Sequence, residues 1–203
     1  MPAAIIALKL SEGLEESYEG DLIGADAGAY VLAKEGRHMK LAIGDFDSLE
    51  KKEDLELIRQ YADQVIALNP IKDDSDSEAA ITEMMKRGYD KLILLGATGG
   101  RADHSLVNLR LAYKYPGKVI LKDARNLIYA CEKGTYTIEK KDYPYISFFT
   151  AEKAEITLEG MKYSLDHRSI SLLDLYTLSN EITGTEGTLI VHEGKVLVIQ
   201  CRD

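Results

Sequence analysis

The chain has 203 residues, 25 of them basic and 34 acidic, for a formal net charge of −9 at neutral pH. Apolar residues make up 45% and charged residues 29%, the balance of a folded globular protein and not of a disordered or low-complexity chain. The acidic excess argues against duplex nucleic acid or an anionic membrane as the main partner, since both require a basic surface. It leaves room for a small anion held by backbone N–H groups, one arginine and a metal ion.

The apolar stretch Ala3–Leu8 lacks a basic start and a cleavage site, so it reads as part of a first strand, Ile5–Leu10, and not as a secretion signal. Further strands are expected at Asp21–Ala25, Lys40–Ile43, Gln64–Leu68, Lys91–Leu95 and Val119–Lys122. Helices are expected between them, at Ala29–Glu35, Glu50–Ala62, Ser77–Arg87 and Ser105–Tyr115. In the last, Leu106, Leu109 and Tyr113 recur at helical spacing and predict a core face. This alternation predicts a three-layer α/β domain with a parallel sheet.

After about Asn126 the pattern turns β-rich, with short strands at Tyr145–Thr150, Glu155–Leu158, Thr188–His192 and Lys195–Gln200. Glu193-Gly194 between the last two reads as the tight turn of an antiparallel hairpin. The expected organisation is an α/β domain over residues 1–124, followed by an all-β domain over 125–203. No apolar run approaches the ~18 residues of a membrane span. Cys131 and Cys201 fit neither a disulfide framework nor a zinc site, which makes a reduced, cytoplasmic setting the expectation.

Four polar segments each follow an expected strand: Asp26–Ala29, Gly44–Ser48, Lys72–Glu78 and Gly96–His104. In an open parallel sheet the carboxyl ends of the strands share one edge, where ligands bind. The four clusters are therefore expected to converge. Asp45 and Asp47 stand at i and i+2, which in extended backbone aims both carboxylates one way and turns Phe46 into the core. Oxygen-only ligation of this kind suits Mg²⁺. The plainer reading is a loop and helix cap. Ser75-Asp76-Ser77-Glu78 matches a capping box, and its acids complement a helix start. Four carboxylates crowded between Asp73 and Glu78 nevertheless repel, so Asp76 is also expected to be a metal ligand.

Gly96, Thr98, Gly99 and Gly100 form a loop that feeds a helix N-terminus, an arrangement whose backbone N–H groups can cradle phosphate. Arg101 adds a planar fork for phosphate oxygens. The glycine spacing is neither that of a P-loop nor that of a dinucleotide fingerprint. The plainer alternative is a tight strand-to-helix turn capped by Asp103. His104 and Asn108 share a helix face, and structural hydrogen bonding is the expected role of His104.

Gly44-Asp45-Phe46-Asp47-Ser48, Ser75-Asp76-Ser77-Glu78-Ala79, the block from Gly96 to His104, and Ser179-Asn180-Glu181 resemble, in this order, the signature segments of the thiamine pyrophosphokinase family. The resemblance runs from about Asp21 to Gln200. It implies an α/β catalytic domain followed by a β-sandwich that helps bind thiamine, and a homodimer with active sites at the subunit interface. It implies pyrophosphate transfer from ATP to thiamine, giving thiamine diphosphate and AMP. By motif match, Asp45, Asp47 and Asp76 are the metal carboxylates, Arg101 and Asp103 belong to the phosphate end, and Asp26 lies at the same edge. Ser179 and Asn180 fall near the thiamine ring. Ala27 stands where the family usually has glycine. The chain has no Trp, which leaves Tyr163 or Tyr176 to stack on thiamine.

The expected mechanism has Asp45, Asp47 and Asp76 holding Mg²⁺ on the ATP phosphates, with Thr98 to Arg101 gripping phosphate oxygens. Asp103 or a metal-bound carboxylate accepts the hydroxyl proton. Three rivals stand beside it. One is a pyrophosphokinase for another heterocyclic alcohol, such as a hydroxymethylpterin. Another is a haloacid-dehalogenase-like phosphatase with Asp45 as nucleophile. The third is a non-catalytic nucleotide or thiamine sensor.

Overall fold

The structure is a computed structural model that describes residues 3–11, 18–47, 49, 51–69 and 75–203. Ser48, Glu50, Lys72, Asp73 and Asp74, which belong to segments singled out above, lie outside the described residues. The chain divides into two compact units, residues 1–108 and 109–203.

The first unit contains β1 (Ala3–Ala7), β2 (Gly20–Ala25), α1 (Ala27–Lys34), β3 (Leu41–Gly44), α2 (Lys52–Gln60), β4 (Val65–Ala67), α3 (Asp76–Lys86) and β5 (Leu92–Leu95). Its strands pair in the order β5-β1-β2-β3-β4, all parallel. Helices α1 and α2 share one core with Ala7 and Ala42 of the sheet. Leu41 and Ile43 flank Ala42 and so face the other way. On that side α3 supplies buried Ala80, Ile81 and Met84. The result is the three-layer α/β arrangement expected from the alternating pattern.

Helix α4 (Ala102–Lys114) spans the division between the units. Its buried side chains are Asn108, Leu111 and Ala112, while Leu106 is 50% exposed. Of the expected face of Leu106, Leu109 and Tyr113, the last two are half-buried and Leu106 alone is corrected. The most buried stripe runs through Asn108, Leu111 and Ala112, and hydrophobic periodicity does not count a polar residue such as Asn108.

The second unit holds β6 (Val119–Lys122), β7 (Asn126–Glu139), β8 (Tyr145–Phe149), β9 (Lys153–Glu159), β10 (Leu165–Ser171) and β11 (Glu186–Cys201). All their pairings within this unit are antiparallel. Strands β7 and β11 form one long ladder. One half of β11 also pairs with β9, and the other half with β8. Phe148, Val196 and Val198 from one half meet Ile156, Leu158, Leu189 and Ile170 from the other in a single core. That is a sandwich made by one long ladder serving both layers.

The expected hairpin at Glu193-Gly194 is not there. β11 runs through it as one strand, with Leu189 opposite Tyr136 and Val196 opposite Cys131. The register shifts between Val191 and Lys195, and Gly194 has φ 79°. A bulge and a tight turn use the same local residues. The partner decides between them, and β7 is long enough to pair with both halves. Strand β10 escaped sequence reading because only its Ile170 is buried.

Candidate active site

The carboxyl ends of β2 and β3 carry the acidic groups. Carboxylate oxygens of Asp26, Asp45 and Asp47 lie within 4.8 Å of one another. Two backbone features bring them there. A Cβ on Gly44 would sit 2.7 Å from the Asp26 Cα, so only glycine lets the end of β3 come this close to Asp26. Asp26 itself adopts φ 47° and ψ −121°, a conformation that costs roughly 1–3 kcal/mol in a non-glycine residue. It stands at the N-cap position of α1, yet its side chain does not cap that helix.

Asp45 and Asp47 converge by a different route from the expected strand alternation. Phe46 has φ 56°, so the backbone turns, and the Asp47 N–H donates to Asp45 Oδ1 at 3.2 Å. Phe46 does point into the core, as its spacing predicts. The segment does not cap α2; there the Lys51 N–H donates to the Asp54 carboxylate at 3.3 Å. The charge of Asp45, then loss of solvent, and then Asp26 and Asp76 push the Asp47 carboxyl above the usual carboxylate range. Like charges gathered this closely make an all-oxygen donor set that fits a hard divalent cation. Asp76 stands outside the trio, at the first position of α3, though its charge reaches Asp47. The capping box is realised in part: the Ser75 hydroxyl accepts from the Glu78 N–H at 3.2 Å.

The glycine loop follows β5. Gly96 has φ 71°, and a Cβ there would lie 2.4 Å from the Leu10 carbonyl carbon. Glycine is thus required for the loop to pass the segment after β1. Buried Asn108 donates through Nδ2 to the Ala97 carbonyl at 2.8 Å, which ties this loop to α4. Thr98 is half-buried, while Gly99, Gly100, Arg101, Asp103 and His104 are exposed. Arg101 forks onto Asp103, Nε to Oδ1 at 3.1 Å and Nη2 to Oδ2 at 2.6 Å. Asp103 also accepts from the His104 N–H at 2.9 Å, so it lies inside the first turn of α4 and is not its cap. The Arg101 bond first, then the His104 bond, hold the Asp103 carboxyl down to about 2.

Ser179 and Asn180 lie in the second unit. Ser179 has φ 54°, and its N–H donates to the Ser147 hydroxyl at 2.9 Å. Asn180 is buried, and its amide is turned into the protein. Nδ2 donates to the Tyr163 carbonyl at 2.8 Å, and Oδ1 accepts from the Tyr163 and Glu181 N–H groups at 3.0 and 2.9 Å. Asn180 therefore positions Tyr163, which is 56% exposed. Tyr176 is engaged elsewhere: its hydroxyl donates to the Ser169 carbonyl at 3.0 Å, and Arg168 lies over its ring. Sequence reasoning placed Asp26 at this edge but not among the clustered carboxylates. The signal was Gly44, whose missing side chain makes room for Asp26.

Among the described residues, no helix is long and apolar enough to cross a membrane. Comparison with known proteins is concordant. Residues 19–122 match the family model described as Thiamin pyrophosphokinase, catalytic domain, and residues 135–196 match that described as Thiamin pyrophosphokinase, vitamin B1 binding domain. A curated relative from Bacillus subtilis, named Thiamine pyrophosphokinase, is 35% identical over 187 residues, 89% of this chain and 87% of its own. A crystal structure of thiamine pyrophosphokinase from the same organism superposes with a TM-score of 0.84 at 31% identity, covering 99% of each chain. One of a thiamin pyrophosphokinase family protein from Enterococcus faecalis gives 0.86 at 27% identity, covering 100% of each. None of these findings favours the phosphatase, the pterin kinase or the sensor.

Proposed function

The chain belongs to the thiamine pyrophosphokinase family, and from that premise we propose how its residues move pyrophosphate from ATP to thiamine. The observation that carries the proposal is the convergence of Asp26, Asp45 and Asp47 within 4.8 Å at adjacent strand ends. These three hold Mg²⁺, with Asp76 close enough to add charge. Bound there, the cation neutralises charge on the ATP phosphates and on the transferring group. The N–H groups from Gly96, Thr98, Gly99 and Gly100, at the start of α4, hold phosphate oxygens. Arg101 exchanges its fork on Asp103 for one on phosphate.

Transfer requires the thiamine hydroxyl oxygen to bond to the β-phosphorus while the bond to the AMP oxygen breaks. Positioning dominates such chemistry. Arg101 is the main cause that holds Asp103 down, so moving that fork to phosphate frees Asp103 to take the hydroxyl proton. A metal-bound carboxylate is the other candidate acceptor. Thiamine is held in the second unit by Tyr163, whose placement depends on Asn180 and the Ser179 turn. The chain works as a cytoplasmic homodimer with active sites at the subunit interface. Residues 1–124 form its catalytic domain and 125–203 its thiamine-binding domain.

The test is incubation with Mg-ATP and thiamine, scored for AMP and thiamine diphosphate. Equal amounts of both products are expected. AMP formed with a hydroxymethylpterin and not with thiamine would overturn the choice of acceptor, and nucleotide binding without AMP would overturn the enzyme.

A further inference from the structure

A second cluster of metal-ligating side chains lies in the second unit and shares no residue with the aspartate trio. Along β9, Ala154, Ile156 and Leu158 line one face, and Glu155 and Thr157 lie on the other, Glu155 half-exposed and Thr157 buried. Beside them stand His167 of β10 and His192 of β11. Donor atoms of Glu155, His167 and His192 all lie within 4.8 Å of one another. His167 Nδ1 is 2.7 Å from Glu155 Oε1, and the two imidazoles stack with centroids 3.8 Å apart at 19°.

The backbone is bent to make this meeting. The register of β10 breaks between Leu165 and Arg168, and His167 sits there at φ 42°. Its N–H donates to Thr157 Oγ1 at 3.0 Å. The same hydroxyl lies 2.8 Å from His192 Nε2. When Nε2–H donates to Thr157, Nδ1 of His192 keeps its lone pair. A ligating imidazole characteristically has such an oxygen partner on its other nitrogen.

We propose that Glu155, His167 and His192 bind a late first-row divalent cation, with Zn²⁺ as the natural probe. Two imidazoles and one carboxylate form a known zinc donor set, with water completing the coordination. Imidazole suits Zn²⁺, Cu²⁺ and Ni²⁺, whereas Mg²⁺ keeps to oxygen, so ligand chemistry separates this site from the aspartate trio. Nearly parallel rings point their lone pairs side by side, and a shared metal needs them to converge. His192 is half-buried and held by Thr157. His167, with 63% of its side chain exposed, is the ring that turns. The inference stands apart from the proposed function, and failure of either leaves the other intact.

The test is calorimetric titration of Zn²⁺ into the full chain in excess Mg²⁺. One equivalent is expected to bind, and the Asp45→Asn/Asp47→Asn variant retains it. His167→Ala and His192→Ala each lower the affinity at least ~100-fold. Thr157→Val lowers it about 10–100-fold. In the NMR spectrum of the unaltered protein, the imidazole Cε1–H signals of His167 and His192 move with Zn²⁺, while those of His38 and His104 stay. This second readout decides if a variant fails to fold. Absence of binding in excess Mg²⁺, binding indifferent to both histidine substitutions, or shifts confined to His38 and His104 would overturn the proposal.

Discussion

The acidic edge of the first unit and the Asn180 loop of the second are built on opposite principles. The edge gathers like charges: Asp45, Asp26 and Asp76 all push the Asp47 carboxyl up. The loop satisfies itself: every polar atom of the Asn180 amide has a protein partner. Repulsion left in a fold marks a place where something charged is meant to bind. A saturated amide marks scaffolding for a neighbour. The two motif segments therefore differ in kind, one leaving its carboxylates crowded and the other closing its hydrogen bonds on itself.

The sharpest way to break this contrast is at Asp47. Asp47→Asn is expected to cut AMP release at least ~100-fold. In metal-free buffer it should not lower the melting temperature, because it removes repulsion. A marked loss of stability would make the carboxylate structural. Asn180→Ala should do the reverse. It is expected to cost about 2–4 kcal/mol in a denaturant melt, since it strands buried partners. It should raise KM for thiamine more than KM for ATP. An unchanged thiamine KM would detach Tyr163 from substrate.

Arg101→Ala is expected to raise KM for ATP ~10–100-fold, the range for hydrogen bonds to a charged group. Steady-state kinetics with ATP varied would show it, and unchanged kinetics would remove Arg101 from the phosphate end. The smallest effect belongs to a pair outside both regions. Lys40, at 2.8 Å, and then the Tyr89 hydroxyl hold the Asp21 carboxyl below its usual range. A depressed carboxylate stabilises the fold above its unfolded pKa and loses that contribution as pH falls through its folded value. Asp21→Asn should thus lower the melting temperature slightly at neutral pH and have no effect in strong acid. A loss that persists at low pH would assign the effect to packing.

Local pattern alone determined the α/β alternation, the acidic and glycine-rich strand ends, and the capping hydroxyl of Ser75. Each depends on neighbours a few residues away, where periodicity and turn chemistry act. Tertiary structure decided what depends on distant partners. The Glu193-Gly194 segment became a bulge and not a turn because β7 offered partners to both halves of β11. Asn108 of α4 is buried although polar, with the Ala97 carbonyl as its partner. Asp26 joined Asp45 and Asp47 because Gly44 leaves room for its backbone. Neither a hydrogen-bond partner nor an atom's absence is visible along the chain until folding brings its counterpart alongside.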